Sequence, residues 1–299
     1  MSESVRTPDG RTLEVRVSGP EDGYPLLFHV GTPMAAVPLP FLERPVAERG
    51  LRSITYSRPG YGGSTPRPDG GTAATVADDA ADTAVILDHL GYDDFVTLGW
   101  SGGGPRALAC AAMLPDRCRA AACAVGIAPR AEFDGDLRDG MGAENVEEYT
   151  AAFAGVEALE AFLTGQAEAL SVSGEQLAAA MGDLVPPVDR EALTGELADT
   201  LAASFRHAGA QGIVGWRDDD LTHLRPWGFS VRDITVPVSV WQGREDRMVP
   251  FAHAEWLAAN VAGARPHLVD GEGHLSLIGR MGAILDDLLD LAGTPQRPG

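Results

Sequence analysis

The feature that most limits the fold is a recurrence of short apolar runs, each followed by a stretch with helical spacing. Pro25 to Val30 (PLLFHV) is continuously apolar, as in a strand covered on both faces, and Thr12 to Gly19 alternates with period two, as in a half-buried strand. Leu51 to Ser57, Phe95 to Trp100 and Cys118 to Ala128 read as further strands. Helices are predicted between them, over about Leu39 to Arg49, Thr72 to Tyr92 and Pro105 to Leu114. Thr72 or Thr75 suits the start of the second helix, and Gly91 its end. Parallel neighbours need crossovers of this kind, so the alternation implies an α/β fold with a mostly parallel central sheet flanked by helices.

The pattern changes near Pro129. From there to Gly228 helical spacing dominates and no strand signal appears. Alternation then returns with Ile234 to Gly243, His253 to Ala262, Arg265 to Gly271 and Leu275 to Leu291. Residues 1–128 and 229–299 are therefore read as two parts of one core, and 129–228 as a helical insert. A chain of 299 residues, 44% hydrophobic, is long enough to bury such a core. Its 43 acidic and 23 basic residues give a net charge of −20, which repels phosphates and argues against nucleic acid or anionic membranes as partners. The chain has neither a long apolar run nor a basic start followed by an apolar segment, so no membrane span and no secretory leader are expected. Cys110, Cys118 and Cys123 lack zinc-site spacing, and an odd count does not suggest a disulfide framework; a cytoplasmic location is expected.

Gly99-Trp100-Ser101-Gly102-Gly103 sets one serine among tiny residues, between a predicted strand and a predicted helix. In a linker such glycines would serve only flexibility. At a strand-to-helix junction, G-x-S-x-G is the pattern of a sharp turn that lifts the hydroxyl above the sheet. The Gly102 N–H then points at a developing oxyanion beside the start of the next helix. A serine nucleophile needs a base, and the base needs an orienting carboxylate. Of the seven histidines, His274 lies in a glycine-rich loop between the last strand and last helix, at the edge where parallel sheets build sites. His89 and His253 fall on helices and His207 in the insert, and they are read as structural; His267 sits within a strand. For the carboxylate, Asp246 follows the strand Val236 to Trp241, with Glu245 beside it read as solvated. Glu132 and Asp134, after the strand ending near Ala128, are the alternative.

Together these residues resemble the α/β-hydrolase fold family over essentially the whole chain outside the insert. The resemblance matches Ser101 to the elbow serine, and Gly243 to Pro250 to the family's G-x-x-D-x-x-x-P loop, with Asp246 as the acid. Gly273-His274 matches the C-terminal G-H, and Ser57 to Thr65 (SRPGYGGST) the R-G-x-G-x-S loop that shapes the site, with Pro59 added. His29-Val30-Gly31-Thr32-Pro33 departs from the usual H-G-x-P, because Val30 stands at the histidine position; Thr32 is still implied as the second oxyanion donor. The insert is similar to the cap that covers the site in many members. Trp100, Met34 and Trp216 are candidate pocket residues, with Phe153, Phe162 and Phe205 as further cap aromatics. The run Asp218-Asp219-Asp220 is expected to be solvated or to cap a helix, not to bind metal. The resemblance implies a serine hydrolase cleaving a small ester through Ser101, Asp246 and His274, with a small-molecule substrate, no metal and no organic cofactor. It leaves the oligomeric state open. The rival functions are an aminopeptidase or amidase, a carbon–carbon hydrolase on the same triad, and a ligand-binding protein without turnover.

Overall fold

The computed structural model describes residues 2–68, 73–167 and 172–293. Its centre is an eight-stranded sheet made of β1 (Ser2–Arg6), β2 (Thr12–Ser18), β3 (Tyr24–His29), β4 (Leu51–Tyr56), β5 (Phe95–Trp100), β6 (Cys118–Ala124), β7 (Val238–Gly243) and β8 (Arg265–Val269). The strand order is β1-β2-β4-β3-β5-β6-β7-β8. β2 pairs antiparallel with β1 and β4, and every other pairing is parallel. The expected mostly parallel sheet is therefore present. β1 is the one strand the sequence did not announce. SESVR offers a single apolar side chain, Val5, to the core, too little to make a recognisable pattern. β6 stops at Ala124, earlier than its apolar run, because Val125 adopts φ 47° and turns the chain out of the sheet.

Side chains alternate across the sheet with period two. Leu27, Ile54, Ala121 and Val240 face one layer of helices, α2 (Val76–Leu90), α3 (Gly104–Met113) and α10 (Phe251–Asn260). Leu26, Phe28, Val96, Leu98 and Ala122 face the other, α1 (Pro40–Glu48) and α11 (Met281–Leu291). Both sheet faces are thus covered, which is why the central strands read as continuous apolar runs. Thr75 and Asp78 form a capping box at the start of α2, and Gly91 closes that helix at φ 77°. Thr72 lies outside the described residues. The last helix is shorter than its pattern, since Ser276–Arg280 form a 3₁₀ turn ahead of α11.

Between β6 and β7 run six helices, α4 (Ala143–Ala154), α5 (Val156–Gln166), α6 (Gly174–Ala180), α7 (Pro187–Ala192), α8 (Gly195–Ala208) and α9 (Val214–Leu224), with no strand among the described residues. These helices occupy the stretch read from the sequence as a helical insert, here called the cap. It has a small core of its own, in which Leu159, Leu163, Trp216 and Leu221 close over Ala35 and Tyr61 of the sheet loops. None of the described helices is long and apolar enough to cross a membrane.

The parallel register decides where the site falls. His29 pairs with Gly99, Trp100 with Ala124, Ala124 with Trp241, and Gly243 with Val269. The C-terminal ends of β3, β5, β6, β7 and β8 therefore lie along one edge. The order also reverses at β3, so loops part there and leave a crevice.

Candidate active site

β5 ends at Trp100, and Ser101 begins a 3₁₀ turn that leads into α3. Ser101 has φ 55°, a conformation that costs a non-glycine residue on the order of 1–3 kcal/mol and survives only where its surroundings enforce it. The flanking glycines show how. A Cβ on Gly99 would collide with the Gly103 carbonyl, and one on Gly103 with the His29 carbonyl at the end of β3. The turn is thus wedged between its own helix and the neighbouring strand.

The loop after β3 lies against this turn. A Cβ on Gly31 would sit 3.2 Å from Ser101 Cβ, and one on Gly102 would collide with Thr32 Oγ1 and lie 3.2 Å from Thr32 N. The Thr32 N–H has no acceptor among the described residues, so it is free for a ligand. Arg58, from the SRPGYGGST loop, donates to the carbonyls of Val30 (2.6 Å) and Gly31 (3.0 Å). The Gly31 carbonyl shares a peptide plane with the Thr32 N–H, so holding one aims the other in the opposite direction.

On the far side, Asp246 follows β7 and His274 follows β8. His274 Nδ1 lies 2.8 Å from Asp246 Oδ2, and both side chains are buried. Asp246 Oδ1 accepts the backbone N–H groups of Met248 (2.8 Å) and Val249 (2.9 Å), while Oδ2 also accepts from Gln242 Nε2 (2.7 Å). The carboxylate is therefore fully satisfied and fixed. Burial opposes a charge on His274, but Asp246 outweighs it and holds the imidazole pKa above its ordinary 6.5. The Trp100 ring meets that of His274 edge-on at 6.4 Å.

Two connected cavities open from Ser101 and share Thr32, Met181, Phe205 and Met248 as walls. The smaller, about 60 Å³, is apolar and includes Met34, Trp100 and His274. The larger, about 190 Å³, reaches into the cap, where Trp216, Phe162 and His223 line it. Phe153 does not join them. It is 41% exposed, and Arg130 and Arg138 pack over its ring outside.

Of the remaining sequence candidates, Glu245 is exposed, and Glu132 accepts a hydrogen bond from Ser230. His253 accepts from the Ala128 N–H (3.1 Å) and faces the Leu137 carbonyl (3.0 Å), while His267 stacks on Trp241 at 3.8 Å. His207 lies 2.8 Å from Glu14, joining cap to core.

The aspartate run departs from expectation, because Asp218, Asp219 and Asp220 are all buried. α9 turns its charged face toward the core, where arginines wait. Asp219 accepts from Thr32 Oγ1 (2.6 Å), Tyr61 OH (2.9 Å), Arg58 Nε (3.0 Å) and Arg106 Nη2 (2.9 Å). Burial alone would raise its pKa, but the two guanidiniums outweigh this and hold it well below the carboxylate range. Arg106 also donates to the Gly102 carbonyl (2.7 Å) and to Asp79 (3.0 Å), and it faces His223 Nε2. Facing that donor, and deeply buried, His223 stays neutral, with its pKa lowered to about 3.

A second buried acid acts at the histidine loop. Asp189 of α7 accepts three backbone N–H groups, from His274 (2.8 Å), Leu275 (3.0 Å) and Ser276 (2.8 Å). Its carboxylate presses on Gly273, where a Cβ would collide with it, so the glycine before His274 is a steric requirement. Asp189 and His223 were not singled out from the sequence, and Asp219 was read there only as part of a solvated or capping run.

A mostly parallel sheet, a strained serine turn at its carboxyl edge and a helical cap over the crevice define an α/β hydrolase. The chain belongs to the α/β-hydrolase fold family, whose model matches residues 24–280. It is 27% identical over 252 residues, 84% of each chain, to a non-heme chloroperoxidase of Streptomyces lividans. It is 30% identical over 237 residues, 77% of this chain and 83% of the relative, to a pimeloyl-[acyl-carrier protein] methyl ester esterase of Aromatoleum aromaticum. Among solved structures, an α/β hydrolase fold protein from Nakamurella multipartita superposes with a TM-score of 0.66 at 27% identity, covering 98% of this chain and 100% of that one.

Proposed function

We propose that this hydrolase is an esterase that works through an acyl-enzyme on Ser101. The observation that carries the reading is the buried Asp246–His274 hydrogen bond of 2.8 Å, beside a serine held at φ 55°. In this reading His274 Nε2 takes the Ser101 proton as Oγ attacks the ester carbonyl, and Asp246 keeps Nδ1 protonated and the ring oriented. The N–H groups of Thr32 and Gly102 receive the oxyanion. His274 then protonates the leaving alkoxide, and water, deprotonated by the same imidazole, releases the acid. Trp100 and Met34 shape the smaller pocket and Trp216 the larger. The substrate is a small molecule with one compact and one bulkier side. A relative named as a methyl ester esterase supports ester over amide chemistry.

The test is intact mass after exposure to a fluorophosphonate, alongside hydrolysis of p-nitrophenyl acetate. Wild type should gain one adduct, and Ser101→Ala should gain none and lose turnover by about 10⁴-fold or more. A Ser101→Ala variant that keeps most of its turnover overturns the reading.

A further inference from the structure

The larger cavity ends in an acid pair that the proposed chemistry does not use. Glu148 of α4 and Asp220 of α9 both line it and hydrogen-bond to one another. Trp216 Nε1 donates to Glu148 Oε1 at 2.7 Å. Asp220 is 1% exposed, and apart from Glu148 its carboxyl has no hydrogen-bond partner among the described residues; Oδ2 is left buried and without a donor. A carboxylate so placed is costly unless something arrives to satisfy it. The contrast with its neighbour in sequence is sharp: Asp219 takes two guanidiniums, while Asp220 takes none.

The rest of the wall indicates what arrives. Glu144 and Glu147 line the same cavity, and no arginine does among the described residues. Its one imidazole, His223, is neutral. The aromatic rings of Tyr149, Phe162, Phe205 and Trp216 supply the remaining polarizable surface. A wall of carboxyls and aromatic faces without a fixed cation suits a positively charged ligand and disfavours an anion.

We propose that Glu148 and Asp220 form a binding site for a protonated amine, so that the preferred substrate is an ester carrying an alkylammonium group on the side that enters the larger cavity. The substrate assignment rests on the esterase reading; the amine site itself does not. Burial raises both carboxyls above their ordinary range, and the charge of Glu148 raises Asp220 further, so the pair keeps a proton between its oxygens. An incoming ammonium supplies N–H donors to both groups, including the Asp220 oxygen that lacks one, and the shared proton leaves to solvent. Binding is thus an exchange of one proton for one cation, with no change in the net charge of the site.

The experiment compares hexylammonium with 1-hexanol, which match in length and differ in charge. Binding is measured by calorimetry at pH 7 on wild type and on Ser101→Ala, so that no turnover is needed. Hexylammonium should bind at least about tenfold more tightly than hexanol to both. That preference should fall to within about twofold in Glu148→Gln, Asp220→Asn and the double variant. On wild type alone, the binding heat should vary with the ionisation enthalpy of the buffer, reporting proton release; this arm stands even if the variants fail to fold. Equal affinity for amine and alcohol overturns the proposal, as does an undiminished preference in folded variants or binding without proton release. If the amine preference holds while Ser101 takes no fluorophosphonate, the esterase reading fails and the amine site survives.

Discussion

Ser101 is held at φ 55° by contacts that leave no spare volume, and Gly102 shows how tight they are. Gly102→Ala places a methyl against Thr32 Oγ1 and 3.2 Å from Thr32 N, where the proposed oxyanion would sit. We expect kcat for p-nitrophenyl acetate to fall by about 10²-fold or more, the scale of losing one oxyanion donor. Wild-type turnover in that variant would remove Gly102 and Thr32 from the mechanism. His274 ties activity and stability to pH in opposite senses. Its pKa is raised above 6.5, and a base must be neutral, so kcat/KM should fall as pH drops through that raised value. The imidazolium–Asp246 pair contributes its full stability below the unfolded value, and this is lost as pH rises through the folded one. An NMR titration should place the His274 imidazole above 6.5 and shift it downward in Asp246→Asn; an unshifted value would show that Asp246 is not the cause.

At the scale of elements, what could be read in advance depended on where each partner lies. Ser101, Asp246 and His274 each sit just past a strand, in a fixed chain order and with local glycines to mark the loop, so a linear reading could single them out as candidates. Asp219 meets Thr32 across 187 residues and Asp189 meets His274 across 85, and neither leaves a local pattern. Three aspartates in an otherwise ordinary helix look solvated, because the arginines that pair with Asp219 come from β4's loop and from α3. The same limit explains the missed β1 and the misplaced Phe153: partners set both positions, and composition does not reveal partners. α9 is the element on which most depends, since Asp219 balances Arg58 and Arg106 at once. Asp219→Asn should cost about 3–5 kcal/mol in urea unfolding, the scale of stranding a buried charge. A loss below about 1 kcal/mol would show the network to be redundant.

For the whole molecule, charge is distributed in two different ways. The chain contains no lysine, so all 23 of its basic side chains are guanidiniums, which keep their charge and bind carboxylates in a fork. Five of the 23 (Arg11, Arg58, Arg67, Arg106 and Arg217) form pairs in which both side chains are largely shielded from water. The chain as a whole carries a net −20, and most of that acidic excess lies outside the buried residues. Salt screens exposed repulsion and barely reaches buried pairs, so Tm should rise between about 10 and 150 mM sodium chloride. A falling Tm would mean that surface attraction outweighs repulsion.

The link between Asp219 and the two sheet loops also sets an order of events during synthesis. Arg58 and Arg106 leave the ribosome 161 and 113 residues ahead of their shared carboxylate. The first six strands have been made by then, with Asp79 available to Arg106 and Arg58 to the Gly31 carbonyl, but the Thr32 hydroxyl still lacks its Asp219 acceptor. A nascent chain halted before α9 therefore carries the serine turn without the Asp219 contacts to Thr32 and Arg106. Under the proposed mechanism a half-made chain also lacks Asp246 and His274, so turnover would wait for residues that emerge later still than α9.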